Sequence, residues 1–305
     1  MKTKTINAVI NKKFSEWTAS ITDDTVRELV EKNTILTGGS IASMLLREPV
    51  NDFDFYFRDI KTAEAVAKYY VAQFMQKPPA SFSKEGVDLR MFVRTETDRV
   101  KIVVKSSGVA AEDADGDQPA YQYFESQAPE AVEEYVEKVL EAKAEKEEKP
   151  YYRPVFLSAN AISLSGDVQL IIRFFGKPDE IHENYDYVHA TNYWTSWDRK
   201  VVYRPEALEC LLTKELRYIG SKYPICSLIR ARKFIQREWT INAGQYLKIA
   251  MQIHELNLKD YTVLEEQLVG MDVAYFMQVL NALKEKDSKK LDTAYLIEII
   301  DRIFG

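Results

Sequence analysis

Histidine and cysteine are scarce: the 305 residues contain three of the first and two of the second. His182, His189 and His254 are scattered, so zinc-ligand spacing is absent. Cys210 and Cys226 stand in apolar helical stretches, where buried thiols are expected rather than a disulfide or a metal site. Long apolar runs are also lacking: nothing approaches the roughly 18 to 20 uninterrupted residues of a membrane span. The opening stretch MKTKTINAVINKKF has neither a long apolar segment nor a small-residue cleavage site, which sets the expectation of a cytoplasmic protein without membrane partners. There is no internal repeat. What the chain does have is 46% hydrophobic content, enough for a substantial core.

The net charge of −6 is unevenly spread. Residues 111–150 hold thirteen acids and four bases, whereas residues 200–240 hold nine Lys/Arg and four Asp/Glu. An acidic chain with so basic a segment does not exclude a polyanionic ligand.

The first half alternates helix and strand signals. Thr25 followed by Glu28 can cap a helix to about Lys32. ILTGG then reads as a strand entering a turn, SIASMLLRE as a helix opening at Ser40, and NDFDFYF as a strand. TAEAVAKYYVAQFMQ reads as an amphipathic helix, and VDLRMFVR and RVKIVVKS as two further strands. From Ala110 a polar loop leads into the charged segment PEAVEEYVEKVLEAKAEKEEK, expected as a helical insertion at about 110–150. Beyond it RPVFLSANAISLS, DVQLIIRFF and YDYVHATNYW read as sheet strands. From Pro205 onward the pattern is helical, beginning with PEALECLLTKELRYIG, which is expected to stop at Gly220. The fold class is therefore α+β: a mixed sheet with flanking helices over residues 1–200, followed by an all-helical C-terminal domain over 201–305.

One stretch carries chemistry, NTILTGGSIASMLLREPVNDFDFYF. Side chains alternate along a strand, so Asp52 and Asp54 share one face and Phe53 and Phe55 the other. The two carboxylates are then about 6.5 to 7 Å apart along the backbone. They would repel each other, and either would be costly to bury, unless a divalent cation compensates them. Two acids on the wet face of an edge strand are the plain alternative. The turn upstream favours the cation. Gly38 and Gly39 allow a tight turn, and Ser40 opens a helix whose free N–H groups favour a phosphate. An anion cradle beside a two-acid site suits a nucleoside triphosphate with magnesium.

With this arrangement the chain resembles the polymerase β-type nucleotidyltransferase superfamily, whose signature is a Gly-Gly or Gly-Ser helix start followed by Asp-x-Asp. Gly38, Gly39, Ser40, Asp52 and Asp54 match it position by position. Ala42 and Ser43 stand where the poly(A) polymerase and tRNA nucleotidyltransferase branch often has Arg-Asp, and the likeness is closer to viral and eukaryotic members. The resemblance implies two Mg2+ ions held by Asp52, Asp54 and a third carboxylate on a neighbouring strand. It also implies transfer of a nucleoside monophosphate from an NTP to an acceptor, with pyrophosphate leaving. Asp88, Asp167 and Asp186 compete for the third position. Asp186 is favoured because Tyr185 and Tyr187 repeat the Phe-Asp-Phe alternation, with Asp88 next; Asp167 sits at a turn.

SLIRARKFIQREW places Arg230, Lys233 and Arg237 at i, i+3 and i+7, and is similar to a basic helix that follows the catalytic domain in the same members. These three are expected to contact an RNA backbone, and Lys214 and Arg217 to join them on the nucleotide. Trp194 and Trp197 could stack a base, though packing is the plainer role. His182 and His189 read as ordinary polar positions. The acceptor is expected to be an RNA 3′ end. A protein hydroxyl or small molecule, as in toxin-type transferases, and a non-catalytic RNA-binding or assembly module are the alternatives.

Overall fold

A computed structural model of the chain describes residues 1–76, 88–107, 118–119, 152–258, 260, 263 and 267. The expected charged insertion helix, and most of the expected helical pattern beyond residue 258, lie outside the described residues. Two compact units are present. The first comprises Met1–His182 and Ala190–Arg204; the second comprises Glu183–His189 and Pro205–Gly305.

Among the described residues the first unit contains ten strands in two sheets. They are β1 (Thr34–Thr37), β2 (Phe53–Phe57), β3 (Asp88–Thr95), β4 (Val100–Ser107), β5 (Gln118–Pro119), β6 (Pro154–Leu157), β7 (Ala161–Leu164), β8 (Val168–Phe175), β9 (Tyr193–Thr195) and β10 (Val201–Val202). Seven of them form a mixed sheet in the order β10-β9-β1-β2-β8-β7-β6. All neighbours in it run antiparallel except β2 and β8, which are parallel. A parallel pair needs a long crossover, and the chain between β2 and β8 supplies it. That crossover contains the second sheet, β3-β4-β5.

One face of the large sheet is sealed by two helices, α1 (Thr3–Ser20) and α4 (Ile60–Gln76). In α1 the buried residues Ile6, Ile10, Phe14 and Trp17 recur at helical spacing and form a single apolar stripe. Trp17 stacks on Phe55 of β2 at 4.8 Å between ring centroids, and its Nε1–H donates to the Tyr70 hydroxyl of α4 at 2.8 Å. Phe53, Phe55 and Phe57 are all buried in this core. Trp194 is fully buried, with its ring 5.0 Å from that of Phe14 and its Nε1–H donating to Asn11 Oδ1. That side chain belongs to the core and is closed to a base, while Trp197 is exposed with the Arg58 guanidinium over its ring.

Three shorter helices flank the strands among the described residues of this unit. In α2 (Asp24–Asn33) the cap is Asp23, whose carboxylate accepts from Val26 N at 3.0 Å, rather than the expected Thr25. Helix α3 (Gly39–Leu46) follows β1 directly, and α5 (Pro178–His182) follows β8.

The predicted strand over 185–194 shortens to β9 at its end, preceded by a 3-10 turn at Val188–Ala190. The backbone of the earlier part is taken up in the second unit, where Ile219 N donates to Asp186 O and Val188 N to Arg217 O. Helix α6 (Pro205–Thr213) also ends before the expected Gly220. Lys214 turns left-handed at φ 50°, and Leu216 N then donates to Thr240 O at 2.8 Å. Helices α7 (Pro224–Ile235) and α8 (Ala243–His254) follow, the latter capped by Asn242. The described C-terminal part is thus helical with two short bridges, Tyr187 to Tyr218 and Glu215 to Thr240. Among the described residues no helix is long and apolar enough to cross a membrane.

Candidate functional site

The backbone register brings the signature residues to one end of β2. Antiparallel β1 pairs Leu36 with Phe55, so one step further Thr37 stands level with Asp54. Gly38, Gly39 and Ser40 come next along the chain, beside the end of β2 where Asp52 and Asp54 stand. On the other side parallel β8 sets Gln169 against Asp54, and β7 sets Ser163 against Gln169. On the outer side of β1, Thr37 pairs with Tyr193. One row across the sheet therefore reads Tyr193, Thr37, Asp54, Gln169, Ser163, polar from end to end and on the face opposite Phe53 and Phe55.

Asp52 precedes the first strand residue and, like Asp54, is half-buried. Burial and the neighbouring Asp52 carboxylate raise the pKa of Asp54 to about 7. The strand that brings the two acids together thus makes a full negative charge on Asp54 costly at neutral pH. Two carboxylates and the amide of Gln169 are the hard-oxygen donors magnesium accepts, so the residues present suit that ion.

The turn has the geometry of an anion cradle. Gly38 adopts φ 99° and ψ −154°, a conformation closed to residues with a Cβ. Its N–H donates to Ala190 O at 3.1 Å, which directs the chain into α3. Ser40 is 3% exposed at the start of that eight-residue helix, and its hydroxyl has no hydrogen-bond partner among the described residues. A methyl group built on Gly39 would meet nothing within 4 Å. Open space at Gly39 and an unsatisfied hydroxyl on Ser40 thus follow each other at the helix start, where the first N–H groups lack intrahelical partners.

The third carboxylate is a different matter. Asp186 is in the second unit, outside any strand, and its carboxylate is ion-paired with Arg230. The flanking tyrosines do not mark alternation: Tyr187 turns into the second unit, where its hydroxyl donates to Ser227 O at 2.7 Å. Asp167 occupies a tight turn at φ 58°, its carbonyl accepting from Phe53 N. Asp88 opens β3 in the smaller sheet. Among the described residues no three His, Cys, Asp or Glu side chains are grouped to hold a metal. Beside Asp54, the position on the bordering strand is filled by Gln169.

The expected basic contacts fall within the second unit and already face partners. Arg230 engages Asp186, Lys214 lies 3.7 Å from Glu238, and Arg217 lies 3.2 Å from Glu209. Lys233 is exposed on α7. Arg237 lies beyond its end at Ile235, so the predicted stripe of three does not run along one helix. The Arg237 guanidinium instead sits 5.6 Å from the Phe234 ring.

His182 and Thr37 belong to the site although nothing in the sequence marks them for it. His182 is 4% exposed, and its Nε2 is 2.8 Å from Thr37 Oγ1. Burial, with the Arg204 charge, lowers its pKa to about 3. No local signal could have found this contact, because the partners are 145 residues apart.

Comparison with known proteins adds a family. The chain belongs to the Gabija anti-defense 2 family, whose profile matches residues 8–214. It is 19% identical over 287 residues to Gabija anti-defense 2 of Bacillus phage SPbetaL7, which agrees with the likeness to viral members. The alignment covers 93% of this chain and 52% of that protein, so the chain spans about half the length of the curated relative. Among solved structures it is similar to the Bacillus stearothermophilus CCA-adding enzyme in complex with CTP, at 11% identity and TM-score 0.38, over 88% of this chain and 52% of that one. It is also similar to the Thermotoga maritima CCA-adding enzyme complexed with tRNA, at 10% identity and TM-score 0.39, over 94% of this chain and 68% of that one.

Proposed function

We propose that this chain is a magnesium-dependent nucleotidyltransferase that moves a nucleoside monophosphate from an NTP to an acceptor hydroxyl, an RNA 3′ end. The observation that carries the reading is the unsatisfied Ser40 hydroxyl at the start of α3, delivered by β1 to the end of β2 that bears Asp52 and Asp54. The α3 N–H groups and Ser40 would grip the β and γ phosphates. Asp52 and Asp54 would hold magnesium, which when bound neutralises phosphate charge and favours ionisation of the attacking hydroxyl. The acceptor oxygen forms a bond to the α-phosphorus as the α–β phosphoanhydride breaks, its proton is given up to water, and pyrophosphate leaves. Asp52 and Asp54 supply donors for one ion; the second expected ion requires a further carboxylate. Nine Lys/Arg over residues 200–240 support a polyanionic acceptor.

Two observations favour other readings. The phage relative is named for anti-defense, which suits a host defence protein as the hydroxyl donor. Gln169 beside Asp54, together with the Asp186 to Arg230 ion pair, suits a module that binds a nucleotide without turning it over. Incubation with each α-labelled NTP, magnesium, total RNA and a lysate containing the defence proteins separates the three. Label in RNA, lost in Asp52→Asn, is the expected result. Label in protein transfers the proposal to the second reading, and NTP binding without label to the third.

A further inference from the structure

We infer that His182 is the positioning residue of the triphosphate cradle, its Nε2–H holding Thr37 and, through it, the Gly38–Ser40 turn. The inference rests on the nucleotidyltransferase reading of the site and adds a residue that neither the signature nor the family match supplies.

Thr37 is the last residue of β1 and stands level with Asp54, with its side chain on the same face of the sheet. It is fully buried, and three polar atoms approach its Oγ1: His182 Nε2 at 2.8 Å, Asn192 O at 3.0 Å and Ala190 O at 3.4 Å. A hydroxyl has one proton to give, and a backbone carbonyl can only accept. The Thr37 proton is therefore committed to a carbonyl, Asn192 O being the nearer. That leaves the Thr37 oxygen as acceptor towards His182, which must present N–H at Nε2. A chain of donors results, His182 Nε2–H to Thr37 Oγ1–H to Asn192 O. Next along the sequence, Gly38 N–H donates to Ala190 O at 3.1 Å. The turn is thus tied on one side to the loop at 190–192 and on the other to the C-terminal end of α5. Removing the His182 donor would leave a buried acceptor unmet directly before the one residue, Gly38, whose positive-φ conformation aims the helix N-terminus.

Three variants test this. Gln carries an N–H at the reach of Nε2, Asn only at the reach of Nδ1, and Leu none. Binding of each Mg2+·α,β-methylene NTP is measured by calorimetry, and thermal midpoints are recorded alongside. His182→Leu and His182→Asn are expected to raise Kd at least about tenfold, with His182→Gln within about twofold of the parent chain. A merely structural histidine would lower the midpoint in all three while leaving Kd unchanged, and that pattern overturns the inference, as does Gln binding as poorly as Leu. If Leu fails to fold, the Gln and Asn pair decides. Imidazole 15N spectra at pH 7 give a reading independent of nucleotide: a neutral ring protonated at Nε2 is expected, and protonation at Nδ1 overturns the assignment. Should the parent chain bind none of the four complexes, the nucleotidyltransferase reading itself falls and this role falls with it. Binding by the parent chain and by all three variants alike would refute only the role of His182.

Discussion

On the proposed reading, Asp54 is where chemistry and stability meet on one side chain. An unfolded aspartate titrates near 3.8 and folded Asp54 near 7, raised by burial and by Asp52. Between those values the folded state holds the additional proton, so this group's contribution to stability falls as pH rises through the window. Asp54→Asn removes that penalty. In chelator above pH 7 its thermal midpoint should exceed that of the parent chain, and below pH 3.8 the two should converge. Magnesium should raise the parent's midpoint and release a fraction of a proton at pH 7, seen as a dependence of calorimetric enthalpy on the buffer; the Asn variant should show neither. Turnover should drop by more than about 100-fold. A midpoint that falls in Asp54→Asn at pH 8 would show that the carboxylate is already compensated within the chain.

Among the elements, the β1 to α3 turn makes two adjacent glycines behave differently. Gly38 needs φ 99° with ψ −154°, so Gly38→Ala should cost on the order of 1 to 3 kcal/mol in stability and disrupt the proposed cradle. Gly39 lies within the helix with open space where its Cβ would be, so Gly39→Ala should leave the midpoint within a degree or two or raise it. Its methyl would still narrow the proposed phosphate site, and nucleotide affinity should fall in both variants. Equal midpoints for the two would contradict the positive-φ geometry at Gly38. This turn and the strand after it were legible in the sequence because both signals are local: a glycine pair before a helix, and aromatic and acidic residues two apart. Helix α1 carries a comparable stripe in Ile6, Ile10, Phe14 and Trp17, but Lys2 makes no side-chain cap and its start is unmarked. The end of the α6 helix was not legible. Lys214 leaves the helix because Leu216 finds a partner at Thr240, and a local pattern contains no trace of that residue. The strand expected at Tyr185–Tyr187 fails for a related reason, since Tyr-Asp-Tyr imitates alternation while the backbone around it is claimed by Arg217 and Ile219.

Across the whole molecule, two histidines are held neutral in separate units. His182 titrates near 3 and His189 near 4, both lowered chiefly by burial from an ordinary value of 6.5. His189 lies among Phe234, Trp239 and Tyr187, with ring centroids 4.6, 4.7 and 6.1 Å away. Below pH 6.5 the unfolded chain takes up protons that these folded rings refuse. Their contribution is complete above that pH and drains away towards pH 4 and pH 3, each tenfold loss of proton affinity on folding counting for about 1.4 kcal/mol. Thermal midpoints should decline from pH 6.5 to pH 4, and His189→Phe should flatten part of that decline. A profile that the substitution leaves unchanged would mean that His189 charges freely in the folded protein. The sequence offers a change from mixed to helical patterning near residue 200. The detour of Glu183–His189 into the second unit was not legible, because the seven residues carry no compositional mark and find their partners only in three dimensions.

That detour means the polypeptide passes from one unit to the other three times, at 182/183, 189/190 and 204/205. No single cut can therefore yield two intact halves. A fragment ending at Arg204 would keep every strand of the large sheet yet strand Tyr187 and His189 in water, stripped of Phe234, Trp239 and the Ser227 carbonyl. The complementary piece from Pro205 would be left with the matching gap. The seven residues Glu183–His189 therefore tie the fate of the helices to that of the sheet that carries them.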